Sequence, residues 1–327
     1  MKIAVIHDYA DALRKTRAYP KLQGHEVNIH TDAYTDPARV VAQVKGCDAL
    51  LLTQQRVVVS RQIIEQLPQL KFISQTGRNV SHLDVAACTD HGILVSAGGH
   101  DGASPYTTTG ELAWALILAS LRHLPYEVER FKQGHWHSTI GTRLYDHTLG
   151  IYAYGHIGSG VARVGRAFGM KVVCWGRDNS LAKARADGFD VAASREAFFE
   201  QSDVISLHIK SNDATKGIIT AADLARMKPT SLLVNTSRAP IIADGALVEA
   251  LKKGRPGFAA VDVYEEEPVV GANHPLLKLP NALCSPHLGY SESGSYEHVY
   301  EGGVEQLLAY AAGKPINVLN AEVLGEK

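Results

Sequence analysis

Residues Leu149 to Gly158 read LGIYAYGHIG, so that Gly155 and Gly158 match the second and third glycines of the pattern G-x-G-x-x-G and Ala153 stands in the place of the first. Such a loop binds a dinucleotide, and each glycine has its own task. Gly155 would let the backbone approach a pyrophosphate, and Gly158 would let the following helix press against the preceding strand. The helix N-terminus would offer its free N–H groups to the phosphates. The first position serves a tight turn, and alanine is the smallest residue that can replace glycine there.

The next strand end bears on which dinucleotide. A carboxylate about 20 residues on usually receives the adenosine ribose hydroxyls, but here the chain reads Cys174-Trp175-Gly176-Arg177-Asp178. A small Gly176 leaves space for a 2′-phosphate and Arg177 supplies a planar, permanently charged donor. The pattern predicts NADP(H) over NAD(H), with Asp178 still able to serve a ribose. No metal is expected.

Positioning such a loop takes a strand before it and a helix after it. Short apolar runs that alternate with helix-compatible stretches predict strands at Lys2–His7, Glu26–His30, Ala49–Thr53, Lys71–Ser74 and Gly92–Val95. A second series is predicted at Leu149–Ala153, Lys171–Trp175, Val204–His208, Ser231–Asn235, Phe258–Val263 and Ala282–Ser285. Continuous apolar runs mark strands buried on both faces of a parallel sheet. Val161, Val164 and Phe168 have helical spacing after the glycine loop, and Gly169 is placed to stop that helix. The expected fold is α/β, two doubly wound, Rossmann-like parallel-sheet domains with a cleft between them. The segment Ala97–Pro105 reads as a hinge, Thr109–Arg122 as a buried apolar helix, and Gly289 to about Gly313 as a long helix returning to the first domain. The predicted domains are 1–103 plus 286–327, substrate-binding and flavodoxin-like, and 104–285, dinucleotide-binding.

Composition narrows the class. Of 327 residues 45% are hydrophobic and 20% charged, as in ordinary globular proteins, and a formal net charge of -1 gives no reason to expect nucleic acid or an anionic membrane as partner. Cys47, Cys88, Cys174 and Cys284 are far apart, without metal-finger spacing, which fits thiols in a reducing compartment. The first residues hold too short an apolar run for a signal peptide. A cytoplasmic protein with a small-molecule ligand is expected.

Four further stretches fall at or just after strand ends: Thr76-Gly77-Arg78-Asn79, Asn235-Thr236-Ser237-Arg238, Val261 to Pro268 (VDVYEEEP) and Ser285-Pro286-His287-Leu288-Gly289. In open α/β sheets that side binds ligands. Together with LGIYAYGHIG and Met227-Lys228-Pro229, they resemble the ordered motifs of the D-isomer-specific 2-hydroxyacid dehydrogenases, the group that includes hydroxypyruvate/glyoxylate reductases and phosphoglycerate dehydrogenases. The resemblance covers most of the chain and is densest from Thr109 to Gly289. It implies an NAD(P)-dependent oxidoreductase that transfers a hydride between the cofactor and a 2-oxo acid, giving a D-2-hydroxy acid, with a hydroxypyruvate or glyoxylate type of substrate expected.

The resemblance assigns Arg238, Glu267 and His287 as the catalytic set. A histidine suits proton transfer to a carbonyl oxygen because its unperturbed pKa of about 6.5 is near working pH. A carboxylate beside it favours the imidazolium, so Glu267 would keep His287 charged until it donates. Arg238 would bind the substrate carboxylate or keto oxygen and stabilise developing negative charge. The resemblance further implies substrate contacts at Gly77, Arg78 and Asn79, and Asp262 near the nicotinamide carboxamide. Other cofactor contacts are implied at Thr109, Tyr154, His156, Ile157, His208, Thr215, Thr236, Ser237 and Gly289, beside Gly155, Gly158, Gly176, Arg177, Arg238 and His287.

Departures from the family pattern are Ala153, Asn79 and Ala239 where glycines are usual, and His156 where arginine is common. An alternative reading is a nucleotide-sensing, partner-binding module like the related transcriptional corepressors, since fold alone does not separate the two. The complete Arg238, Glu267 and His287 set argues for the enzyme. A divergent member acting on formate or a phosphonate is a third reading, which no residue requires. The apolar helix Thr109–Arg122 and the aromatic arm His135-Trp136-His137 predict a homodimer interface, interior packing being the other reading.

Overall fold

The computed structural model describes residues 1–98 and 107–325. Most of the hinge expected at Ala97–Pro105 falls outside them. The chain divides into two compact units, Met1–Ser104 with Glu292–Lys327, and Pro105–Ser291.

In the first unit five parallel strands, β1 (Lys2–Ile6), β2 (Glu26–Ile29), β3 (Ala49–Leu52), β4 (Phe72–Gln75) and β5 (Leu94–Ala97), stand in the order β2-β1-β3-β4-β5. The apolar runs of β3, β4 and β5 are buried at every residue. Such strands need cover on both faces, and two separate apolar clusters supply it, one around Ile6, Leu50 and Ile73 and one around Ile3, Leu51 and Phe72. The expected terminal helix forms at Ser293–Ala311 and closes the second cluster with Tyr300, Val304 and Leu307. Its Gly303 sits so close that a Cβ would come 2.7 Å from Leu51 Cδ1.

The second unit holds β6 (Thr148–Tyr152), β7 (Lys171–Trp175), β8 (Asp190–Val191), β9 (Val204–Leu207), β10 (Leu232–Asn235), β11 (Phe258–Val261) and β12 (Ala282–Cys284), in the order β12-β11-β10-β9-β6-β7-β8. All pairings are parallel. The chain winds outward from β6 through β7 and β8, then crosses to β9 on the other side, so the order reverses between β6 and β9. Ligands of doubly wound sheets bind at such a switch point. The glycine loop and the segments carrying Gly176, Arg238, Glu267 and His287 all follow the carboxyl end of a strand.

The helix His156–Ala167 buries Val161 of the apolar residues spaced after the glycine loop, while Val164 and Phe168 are 40% and 41% exposed. It packs through Gly158, Val161, Ala162 and Gly165, because glycine lets the backbone itself approach the sheet: a Cβ on Gly165 would lie 2.5 Å from Leu149 Cδ2, and one on Gly158 2.5 Å from the Ala153 carbonyl oxygen. Residues 286–291, which the sequence groups with the first domain, stay with the second unit. Hydrogen bonds from Leu288 and Gly289 to Asp262 hold them there.

Ala153 is the tight turn. Its φ is +73°, its N–H donates to the Trp175 carbonyl (2.7 Å) and its own carbonyl accepts from Gly155 N–H (2.9 Å). A left-handed L-residue costs about 1–2 kcal/mol, partly offset by the smaller chain entropy of alanine when unfolded. Ala153→Gly is therefore expected to stabilise the protein by about 0.5–1 kcal/mol, read as a higher urea midpoint, whereas an unchanged or lower midpoint would show that the turn carries no strain.

Candidate active site

Glu267 and His287 come from the loops after β11 and β12, neighbouring strands of the second sheet. His287 Nδ1 lies 2.5 Å from Glu267 Oε2. The other carboxylate oxygen, Oε1, accepts the Tyr264 N–H at 2.9 Å, so both oxygens of Glu267 are oriented. The acidic run is thus resolved into separate parts: Glu265 meets His274 Nε2 at 2.9 Å, Glu266 is exposed, and only Glu267 faces His287.

His287 has φ +52°, an unusual conformation for a non-glycine residue. Its surroundings enforce it. Asp262, fully buried, accepts the Ser285 hydroxyl (2.5 Å) and Leu288 N–H (2.7 Å) at one carboxylate oxygen and Gly289 N–H (2.8 Å) at the other. The Thr109 hydroxyl donates to the Gly289 carbonyl at 3.0 Å. A Cβ on Gly289 would stand 3.2 Å from Asp262 Oδ2, so this close approach depends on glycine. Burial pushes the Asp262 carboxyl up from its ordinary range, against the lowering effect of the hydrogen bonds it accepts. The acceptor expected beside the nicotinamide is thus first the anchor of the His287 segment.

Arg238 follows β10, which pairs with β11. Asn235 shapes its loop: Asn235 Nδ2 donates to the Arg238 carbonyl (3.0 Å) and Oδ1 accepts Ser237 N–H (3.0 Å). The Ser237 hydroxyl ties the same loop to the Leu207 carbonyl at the end of β9 (2.8 Å). Arg238 is exposed, with Nη1 donating to the Ser237 carbonyl (2.7 Å). Thr236 is buried, and its Oγ1 has no partner among the described residues.

At the end of β6 the residues fit a dinucleotide. Gly155 caps the helix His156–Ala167, and no atom lies within 4 Å of where its Cβ would be. The first-turn N–H groups of that helix have no intrahelical acceptors, and an open space in front of them suits a phosphate. His156 is exposed and Ile157 half-buried at the same end. The Tyr154 side chain turns inward, with the hydroxyl donating to Asp187 (2.7 Å) and the ring against Phe189, and its N–H donates to the Ser180 hydroxyl (2.7 Å). Gly176, at φ +155°, is needed for a second reason: a Cβ there would approach Ala153 Cα to 3.3 Å. Arg177 and Asp178 are exposed at the start of the next helix.

His208, just past β9, lies 3.0 Å by Nε2 from the Ser206 hydroxyl, and burial lowers its pKa to about 4. Thr215 closes a turn with Asn212 and Lys210. Gly77, Arg78 and Asn79 belong to the first unit, after β4. Gly77 has room around it, Arg78 is exposed, and Asn79 is exposed with its Oδ1 accepting Ser81 N–H at 3.0 Å. The sequence did not single out Tyr264, Ser285 or Asn235 as site residues. Asn235 and Ser285 are the polar residues at or just past the ends of β10 and β12, which was a usable signal.

Residues 114–289 match the family model described as D-isomer specific 2-hydroxyacid dehydrogenase, NAD binding domain. The chain belongs to the D-isomer-specific 2-hydroxyacid dehydrogenases. It is 34% identical over 308 residues to a glyoxylate reductase of Aeropyrum pernix, covering 90% of this chain and 89% of that one. Among solved structures, an oxidoreductase from Ralstonia solanacearum aligns with a TM-score of 0.89 at 45% identity, over 99% of this chain and 98% of that one. A phosphoglycerate oxidoreductase from Vibrio cholerae aligns with a TM-score of 0.88 at 42% identity, over 96% and 99%. As a 2-hydroxyacid dehydrogenase the protein uses a nicotinamide cofactor, in keeping with the matched NAD-binding domain. No helix among the described residues is long and apolar enough to cross a membrane.

His208 gives this dehydrogenase a pH-dependent stability. Its pKa of about 4 in the fold is below the value of 6.5 expected in the unfolded chain, so the unfolded state binds the extra proton as pH falls from 6.5 to 4, and stability is lost across that window. His208→Asn is expected to flatten the acid side of a urea-stability profile, and an unchanged slope would show that the imidazole is already solvated.

Proposed function

We propose that this dehydrogenase works as a reductase of 2-oxo acids of the hydroxypyruvate or glyoxylate type, with NADPH preferred and His287 as proton donor. The contact between His287 Nδ1 and Glu267 carries the reading. With Nδ1 engaged, Nε2 is the ring nitrogen left to give a proton, and Glu267 stabilises the imidazolium that waits to donate it. The bound reduced nicotinamide supplies the hydride for the carbonyl carbon. Arg238 binds the substrate carboxylate or the keto oxygen and stabilises the charge that gathers there. Gly77, Arg78 and Asn79 offer backbone N–H groups to the substrate carboxylate.

For the cofactor, the first-turn N–H groups from His156 through Gly158 take the pyrophosphate, with Tyr154 and Gly155 shaping the loop before them. Arg177, exposed beyond β7, takes a 2′-phosphate. Thr236, Ser237 and Gly289 are assigned to the nicotinamide end, Asp262 supports it as the buried anchor of the His287 segment, and Thr109, His208 and Thr215 complete the pocket. The glyoxylate reductase at 34% identity supports the substrate class.

A homodimer belongs to the same reading. The helix Thr107–Leu121 is half-buried rather than interior, because Glu111, Ala115 and Leu118 face outward at one helical spacing. Beyond it Trp136 and Ile140 are 75% and 95% exposed. A second copy of the chain is proposed to cover these exposed apolar side chains. Static light scattering at micromolar concentration is expected to report twice the chain mass, and a monomer would remove the dimer.

Steady-state rates with NADPH and NADH against glyoxylate, hydroxypyruvate and phenylpyruvate test the activity. NADPH is expected to give the higher kcat/KM, and a ratio strongly favouring NADH would remove the NADP assignment. His287→Ala is expected to lower kcat by about 10²- to 10⁴-fold, the range of general acid catalysis. A variant with unchanged kcat would remove His287 from the reaction.

A further inference from the structure

The Glu267–His287 contact joins two loops, and it persists only while both loops keep their places. Asp262 fixes one side by holding Ser285, Leu288 and Gly289. Tyr264 holds the other side. Tyr264 donates its N–H to Glu267 Oε1 and its hydroxyl to the Ser285 carbonyl, both at 2.9 Å. It is buried, with its ring edge-to-face on His274 at 4.9 Å. His274 is itself fixed by Glu265 and by the Leu276 N–H. We propose that Tyr264 is a positioning residue for proton transfer, a strut that sets the reach of Glu267 to His287 through one bond to each loop.

The inference rests on the reading of Glu267 and His287 as a proton-transfer pair, but its geometry can be tested apart from turnover. Tyr264→Phe keeps the ring and the N–H bond and removes only the hydroxyl. Two readouts on the full chain follow: the ring N–H proton resonance of His287 in its hydrogen bond to Glu267, and a kcat and KM comparison in wild-type and Glu267→Gln backgrounds. In Tyr264→Phe the resonance should broaden or vanish and kcat should fall about tenfold, the equivalent of one net hydrogen bond, with the KM for the coenzyme unchanged. In the Glu267→Gln background the same substitution should cost nothing further. A retained resonance with unchanged kcat, or an equal loss in the Glu267→Gln background, would overturn the proposal. Absence of turnover by the wild type on every 2-oxo acid would instead overturn the proposed function, and the resonance comparison would still decide the role of Tyr264.

Discussion

One buried carboxylate holds the site together. Asp262 leaves the end of β11 with no exposed surface and accepts three donors from the segment that follows β12. Burying a charge is costly unless it is hydrogen-bonded on all sides, and here the satisfaction comes from the chain segment that carries His287. The imidazole is therefore placed by main-chain geometry, at φ +52°, before any side-chain rotamer is chosen. Glu267 then needs to reach only one atom.

That anchor works because the sheet is parallel. Parallel pairing of β10, β11 and β12 sends three successive strand ends to the same edge, so Arg238, Asp262, Glu267 and His287 issue from loops that are neighbours in space although distant in sequence. On the other side of the switch point the same edge receives Gly155 and the helix it caps. The small residues of that helix bring its backbone close to the sheet, and with it the N–H groups that suit a phosphate.

The strands were legible because strands buried on both faces are written as unbroken apolar runs, and ten of the twelve are four or five residues long. The strand β8 was not, since Asp190–Val191 is too short to show any period. The packed face of the glycine-loop helix was only partly legible: apolar spacing marks Val161, which is buried, whereas close packing also selects the glycines, which hydrophobicity does not mark. Glu267 and His287 were found through motif order, which also implied their pairing; the atoms that meet, and the inward turn of Tyr154, were beyond sequence. The positive φ of Ala153 was half visible, as the residue that replaced a glycine.

The return of the terminal helix has a consequence for how the chain is partitioned. Because Glu292–Lys327 packs with Met1–Ser104, the second unit is an uninterrupted insertion within the first. Pro105–Ser291 could be expressed as one continuous piece carrying the whole of its sheet, whereas the first unit is assembled from two stretches that synthesis on the ribosome separates by the entire length of its guest. Its last core residues, Tyr300, Val304 and Leu307, are made only after every strand they cover. The nucleotide-binding sheet can thus complete its core while its host still waits for a helix.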